Sequence, residues 1–109
     1  MENLIKPMKE GKVFLLGECR GGRVEVVRYV DKKTGQASSF TAITYLVERA
    51  GGMESVMISQ RVGDGTVDVS TVKVATQKGK MYAFELSGLE KVRGVVKARM
   101  PEGIEPLPV

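Results

Sequence analysis

Residues 20–49, RGGRVEVVRYVDKKTGQASSFTAITYLVER, have the pattern of one long β-hairpin. Two runs rich in Val, Ile, Thr, Tyr and Phe, the residue types that favour strands, flank the segment DKKTG at residues 31–35. Asp and Gly are typical turn residues, and Gly35 can adopt the positive φ that a tight turn needs. We therefore predict two antiparallel strands joined by a turn that carries Lys32 and Lys33 at its tip.

Alternation of apolar and polar residues continues along most of the chain and predicts further strands. The predicted strands are residues 13–19, 23–30, 38–49, 53–62, 81–87 and 92–100, and turns or bulges that contain Gly separate most of them. Strands divided by Gly-rich turns at this spacing are typical of a small barrel or sandwich. The sequence thus predicts an all-β fold, which we interpret as a small five-stranded OB-like barrel with a long β-hairpin.

Residues 67–77, VDVSTVKVATQ, fit either a strand or one short helix. Val67 and Val69 alternate as in a strand, whereas Asp68 could cap the N-terminus of a helix. A helix between the third and fourth strands closes one mouth of an OB barrel, and this segment falls at that place. We therefore favour the helix.

The chain has 109 residues, which is the size of one domain. We assign residues 1–100 to a single OB-like β-barrel domain and residues 101–109 to a short Pro-rich C-terminal tail. The tail, PEGIEPLPV, contains three of the four prolines of the chain. Because Pro prevents helix continuation and strand pairing, we expect the tail to be extended and poorly ordered.

The composition excludes the commonest enzyme sites. The chain has no His and one Cys, so it cannot build a thiolate and imidazole metal site, a Ser-His-Asp triad or a Cys-His pair by itself. Its carboxylates are scattered among basic residues without metal or acid–base spacing. We expect a protein without catalysis, metal or cofactor, in which Cys19 is a buried free thiol.

The N-terminal segment and the net charge bear on location and partners. MENLIKPMKEGK lacks the apolar core of a secretory signal, and the apolar runs elsewhere are too short to span a bilayer. We therefore expect a cytoplasmic protein that does not bind membranes. Seventeen Lys and Arg against thirteen Asp and Glu give a net charge of +4, which permits polyanion binding without requiring it.

Cationic and aromatic side chains are interleaved along the predicted strands. Cationic side chains can neutralise phosphates, and aromatic rings can stack on bases. The candidates for phosphate contacts are Arg20, Arg23, Arg28, Lys32, Lys33, Arg49, Arg61, Lys78 and Lys80, and those for stacking are Tyr29, Phe40, Tyr45 and Tyr82. Two alternatives stay open: the rings can instead pack in the core, and the charged turn can simply aid solubility.

The segments GGRVEVVRYVDKKTGQ, SSFTAITYLVE and SVMISQRV resemble the front half of small OB-fold single-stranded DNA-binding proteins of phages and mobile elements. The resemblance covers about residues 12–62. It implies a protein that coats single-stranded DNA, in preference to RNA, without sequence preference during replication or recombination. It also implies a homodimer or higher homo-oligomer.

Carried over onto this sequence, the resemblance implies a set of strand-binding residues. They are Arg23, Arg28, Tyr29, Lys32, Lys33, Tyr45 and Arg49 on the hairpin, with Arg61 and Tyr82 as weaker additions. The chain departs from the better-known bacterial members of the family because it has no Trp and no long acidic tail. Recruitment of partners through the tail is therefore not implied.

A second hypothesis is a structural or assembly β-barrel, part of a phage particle or of an oligomeric scaffold, that binds no nucleic acid. Six Met residues and the strand edges of an open barrel suit subunit interfaces. A third hypothesis, a β-barrel enzyme that uses carboxylates or a metal, is disfavoured by the absence of His and of a clustered acidic motif.

Overall fold

The predicted hairpin forms the centre of the fold in the computed structural model, which describes residues 11–51, 54–92 and 95–109. Strand β1, Val13–Val30, pairs antiparallel with strand β2, Ala37–Arg49. In the turn between them, the Gly35 amide donates to the Asp31 carbonyl at 2.7 Å, and Gly35 has a φ of 72°. The DKKTG segment therefore makes the turn that the sequence predicts.

β1 is one strand of 18 residues where the sequence predicts two. The register shifts between Cys19 and Gly21, so Arg20 is the extra residue of a β-bulge. A bulge bends a strand without ending it, which is why the Gly-rich segment at residues 21–22 does not separate two strands.

The remaining strands are β3 (Ser55–Asp64), β4 (Met81–Leu86), β5 (Gly88–Val92), β6 (Val95–Met100) and β7 (Leu107–Pro108). Together with β1 and β2 they form one sheet in the hydrogen-bonded order β5-β6-β3-β2-β1-β4-β7. Among the strand pairs of the described residues, only β3 with β6 is parallel. The fold is therefore all-β, as predicted.

The predicted five-stranded barrel is not confirmed, because the sheet of seven strands is open among the described residues. The predicted strand at residues 81–87 and the strand at residues 92–100 become three strands, β4, β5 and β6. β4 and β5 lie near opposite ends of the sheet order although only Ser87 separates them in sequence. The Ser87 amide donates to the Arg99 carbonyl at 2.8 Å, which ties this junction to β6.

The core lies on the inner face of the sheet. Its buried residues are Cys19, Ile43, Tyr45, Val47, Val56, Ile58, Tyr82, Phe84, Ala98 and Met100. Cys19 is a buried free thiol, as predicted, and its Sγ lies 3.4 Å from the Thr76 hydroxyl. In the described part of the chain, no helix is long and apolar enough to cross a membrane.

The predicted helix at residues 67–77 is wrong apart from its first turn. Only Val69–Thr71 form a 3-10 turn, and Asp68 caps it by accepting from the Ser70 amide at 3.0 Å. Six of the eleven residues are Val or Thr, whose branched side chains disfavour a helix. Val72 and Val74 instead pack against the core in an irregular segment.

The C-terminal tail is extended, but it is anchored to the sheet. Leu107–Pro108 pairs with β4, and Pro106 is buried. The buried Gln60 amide donates to the carbonyls of Pro101, at 2.8 Å, and Ile104. Pro lacks only the amide donor, so it can pair at the edge of a sheet, and the tail is attached to the sheet despite its three prolines.

Candidate nucleic-acid interface

The outer face of the sheet, opposite the core, carries a groove. Residues that are directly paired across strands share a face, and Val27 faces Phe40, Thr44 faces Ser59, and Ser59 faces Arg99. The outer groove has a volume of about 250 Å³ and is lined by Glu25, Val27, Phe40, Ala42, Thr44, Met57, Ser59, Glu90, Lys97, Ala98 and Arg99. The small side chains of Ala42, Thr44 and Ser59 form the floor of this recess on β2 and β3, beside the larger Phe40 and Met57.

An aromatic and cationic cluster lies at one end of the outer groove. The rings of Tyr29 and Phe40 have centroids 5.9 Å apart and are tilted by 52°. The Arg61 guanidinium carbon lies 5.4 Å from the centre of the Phe40 ring, in a cation–π contact. Tyr29 is 43% exposed. This cluster therefore offers an accessible ring, together with a flat guanidinium group.

Arg61 also contacts the tail. Its Nε lies 3.6 Å from Oε1 of Glu102, and both side chains are largely exposed. Exposed ion pairs of this kind contribute about 0 to 1 kcal/mol. The contact orients Arg61 but leaves it able to exchange Glu102 for another anion.

Two cations on β6 line the side of the groove away from β1. Lys97 and Arg99 are exposed and alternate with Val96, Ala98 and Met100. A Cβ at Gly88 would lie 3.3 Å from the Arg99 Nε, so the absence of a side chain there gives the guanidinium room. Neither cation is among the predicted phosphate contacts, although the alternation in residues 96–100 indicates that the two share a face.

The predicted cations on the hairpin do not form one cluster. Lys32 and Lys33 are exposed at the turn, and Arg28 is exposed beside Tyr29. Arg49 lies at the other end of β2, about 30 Å from Phe40 at the rise of an extended strand. By strand alternation, Arg28 and Arg49 lie on the face opposite to the aromatic cluster, so the hairpin cations cannot all contact one nucleotide.

Two other predicted cations already have carboxylate partners. Arg20 Nη2 lies 2.9 Å from Glu18 Oε2 and is also bonded to Glu48. The hydrogen bond to Glu48, with the charge of Glu18, raises the pKa of Arg20. Arg23 is 3.6 Å from Glu25 but 68% exposed. Arg20 is therefore the less available of the two for a phosphate.

The structure does not support base stacking by Tyr45 and Tyr82, because both rings are buried. They are 1% and 5% exposed, and each packs against Phe84, with centroids 5.5 and 6.0 Å apart. The Tyr82 hydroxyl accepts from the Gln77 amide at 2.7 Å. Tyr45 alternates with Thr44, so it points to the core while Thr44 points to the groove. The two rings therefore pack in the core, which is the alternative to base stacking that the sequence leaves open.

The burial of Tyr45 predicts a response to alkaline pH. Burial raises the pKa of Tyr45 to about 12, whereas an unfolded Tyr ionises near about 10. The buried neutral phenol of Tyr45 therefore contributes fully to the free energy of unfolding below about pH 10, and this contribution is lost as the pH rises towards 12. Tyr45→Phe is therefore expected to raise the pH midpoint of alkaline unfolding, measured by circular dichroism. Tyr29→Phe, which removes an exposed phenol, is the matched control, and an equal rise in both variants would contradict the prediction.

The chemistry of its side chains makes the outer groove the best-supported functional site. Among the residues that the structure describes, no group of three or more His, Cys, Asp or Glu is placed to hold a metal ion. The groove combines an accessible ring, guanidinium groups and hydroxyls on one rigid face. No family model matches the chain, and no curated protein or solved structure is significantly similar to it.

Proposed function

We propose that this chain is a non-catalytic protein that binds single-stranded DNA along its outer face and coats it during replication or recombination, without requiring a sequence. One observation carries the proposal. The cluster of Tyr29, Phe40 and Arg61 lies on the same outward face as Lys97 and Arg99. Rings and guanidinium planes stack on any base, while cations follow the backbone.

The geometry favours a single strand over a duplex. The bases of a duplex are stacked inside the helix and cannot reach Tyr29, whereas the bases of a single strand can turn outwards. The Lys32 and Lys33 turn extends the basic path beyond the aromatic cluster. A single strand can therefore use both stacking and charge, whereas a duplex offers mainly its phosphates.

The strand order supports an OB-like interpretation of the sheet. β1, β2 and β3 form an antiparallel meander, β1 pairs antiparallel with β4, and β3 pairs parallel with β6. If β4 and β5 are two halves of one strand bent at Ser87, the ring has five strands and closes through this bend. OB barrels bind oligonucleotides on the face of strands 2 and 3 and at the neighbouring loops, and Phe40 and Arg61 lie on β2 and β3.

We further propose that the protein acts as a homodimer or a higher homo-oligomer. One groove of this size holds only a few nucleotides, and β5 ends the sheet order with Leu89 64% exposed. A strand edge with an exposed apolar side chain favours pairing with another chain. The mass in solution, measured by light scattering, tests this directly.

The assembly-domain hypothesis is the second candidate, and exposed apolar side chains favour it. Val13, Met81 and Leu89 are 62%, 39% and 64% exposed on their strands. They suit an interface between subunits, with or without DNA. An oligomer of defined size that ignores nucleic acid would support this candidate over DNA binding.

Titration of labelled oligo-dT at several salt concentrations tests the proposed function. Each phosphate neutralised on a single strand contributes about 0.7 to the slope of log affinity against log salt, so four or five contacts give a slope of roughly 3. We expect tight, salt-sensitive binding, measured by fluorescence anisotropy, that duplex DNA of equal length competes for poorly. No binding at low salt, or a flat salt dependence, would contradict the proposal.

A further inference from the structure

Two carboxylates, Glu25 and Glu90, line the outer groove, and phosphate binding explains neither. Glu25 lines the groove from β1, and its side chain is 38% exposed. A carboxylate repels phosphates, so a surface that only neutralises the backbone would be better without it. The charge of Glu25 must face a part of the ligand other than the phosphates if the strand occupies the groove.

The Glu25 carboxylate is held in place. The Thr44 hydroxyl donates to Oε1 at 2.8 Å, and Thr44 itself is only 8% exposed. Arg23 Nη2 lies 3.6 Å from Oε2. A carboxylate has about four acceptor positions, so these two contacts leave some free for a donor from a ligand.

The opposite side of the groove carries positive charge. Arg99 on β6 and Glu25 on β1 line opposite sides of the groove. The cross-strand neighbour of Arg99 is Gly88, whereas that of Lys97 is Glu90, whose carboxylate offsets part of the positive charge. Arg99 is therefore the stronger phosphate contact of the two. In the register of the sheet, Arg99 leads through Ser59 and Thr44 to Arg23, which lies two residues before Glu25. Because the Thr44 hydroxyl bonds Glu25, a base that extends from Arg99 across Thr44 comes within reach of the carboxylate.

The space beside Glu25 suits the ring of a base. The volume of about 250 Å³ is several times the roughly 30 Å³ that a water molecule takes up in the liquid. Val27, Phe40 and Met57 supply apolar contacts around the same recess. One ring can therefore enter with its polar edge facing the carboxylate.

We propose that Glu25 accepts a hydrogen bond from the exocyclic amino group of a base, so that the groove prefers cytosine to thymine at one position. The inference rests on the proposed function and refines it. A carboxylate only accepts hydrogen bonds, and the cytosine N4 amino group is a donor that carboxylates accept from. Thymine presents a carbonyl oxygen at that position, which repels the carboxylate. Thr44 is a positioning residue in this arrangement.

The experiment compares oligo-dC with oligo-dT of equal length, by anisotropy at neutral pH and low salt. We expect the native protein to bind oligo-dC about tenfold more tightly, the size of one charge-assisted hydrogen bond. Glu25→Gln is expected to remove the preference and to tighten binding of oligo-dT, because it removes a repulsive charge. Thr44→Val, which frees the carboxylate, is expected to weaken the preference in part.

Glu54→Gln is the matched control, since it removes an exposed carboxylate outside the groove. It is expected to keep the preference for oligo-dC. Equal affinities of the native protein for the two oligonucleotides, or a preference that survives Glu25→Gln, would overturn this inference and leave single-strand binding intact. Failure to bind either oligonucleotide would overturn the proposed function, and the inference with it.

Discussion

Tyr29→Ala is expected to bind oligo-dT about fivefold to a hundredfold more weakly than the native protein, with an unchanged salt slope. Stacking of one base on an aromatic ring contributes about 1 to 3 kcal/mol, and about 1.4 kcal/mol corresponds to a factor of ten. The ring is 43% exposed and lies at the surface, so its removal leaves the core intact. Anisotropy titrations at three or more salt concentrations give both the affinity and the slope.

Arg99→Gln is the complementary variant, because it removes a charge and keeps a polar side chain. It is expected to lower the salt slope by about 0.7, the contribution of one phosphate contact. Lys73→Gln serves as the control, since Lys73 is exposed in the loop between β3 and β4, outside the groove lining. Native affinity and slope in both Tyr29→Ala and Arg99→Gln would exclude the outer groove as the interface, even for a protein that binds DNA.

Gly17→Ala is expected to lower the free energy of unfolding by about 3 kcal/mol and the melting temperature by roughly 10 °C. Gly17 is buried in β1, where it pairs with β2 on one side and β4 on the other. An added Cβ would lie 2.4 Å from Cγ1 of Val47 and 2.7 Å from the carbonyl oxygen of Glu48. Val47 is fully buried, and the carbonyl is part of the backbone, so neither can move aside cheaply.

Gly21→Ala provides a matched control for Gly17→Ala in the same strand. No atom lies within 4 Å of a Cβ built at Gly21. This variant is expected to stay within about 0.5 kcal/mol of the native protein. Thermal unfolding, followed by circular dichroism, gives the melting temperatures of both variants. Equal melting temperatures would contradict the prediction, because they would show that position 17 accommodates a Cβ despite the close approach of β1 to β2.

Much of the fold follows from local patterns in the sequence. Alternation of apolar and polar residues locates the two strands of the hairpin, and the DKKTG segment specifies the turn between them. The same pattern places Tyr29 and Phe40 on neighbouring strands, where their rings meet. The inward position of Tyr45 is less evident, because both faces of β2 carry apolar residues. Ile43 and Val47, two residues to either side of Tyr45, determine which face is buried.

The rest of the site depends on contacts between distant parts of the chain. Arg99 joins the groove because β6 pairs parallel with β3, and no local pattern specifies that partner. Likewise, the tail is held through the buried Gln60, whose carbonyl partners at Pro101 and Ile104 lie about 40 residues away. Sequence patterns identify the strands and the two faces of each strand, whereas contacts between distant parts of the chain are visible only in the folded sheet.

The parallel pairing of β3 with β6 also has a consequence for the order of folding. The meander of β1, β2 and β3 forms through contacts between neighbours in sequence, whereas β6 must close a loop of some thirty residues before it pairs. During synthesis, the ribosome releases Arg99 long after the hairpin. A nascent chain therefore presents the aromatic cluster before the opposite wall exists, and the groove becomes complete only when β6 has paired with β3.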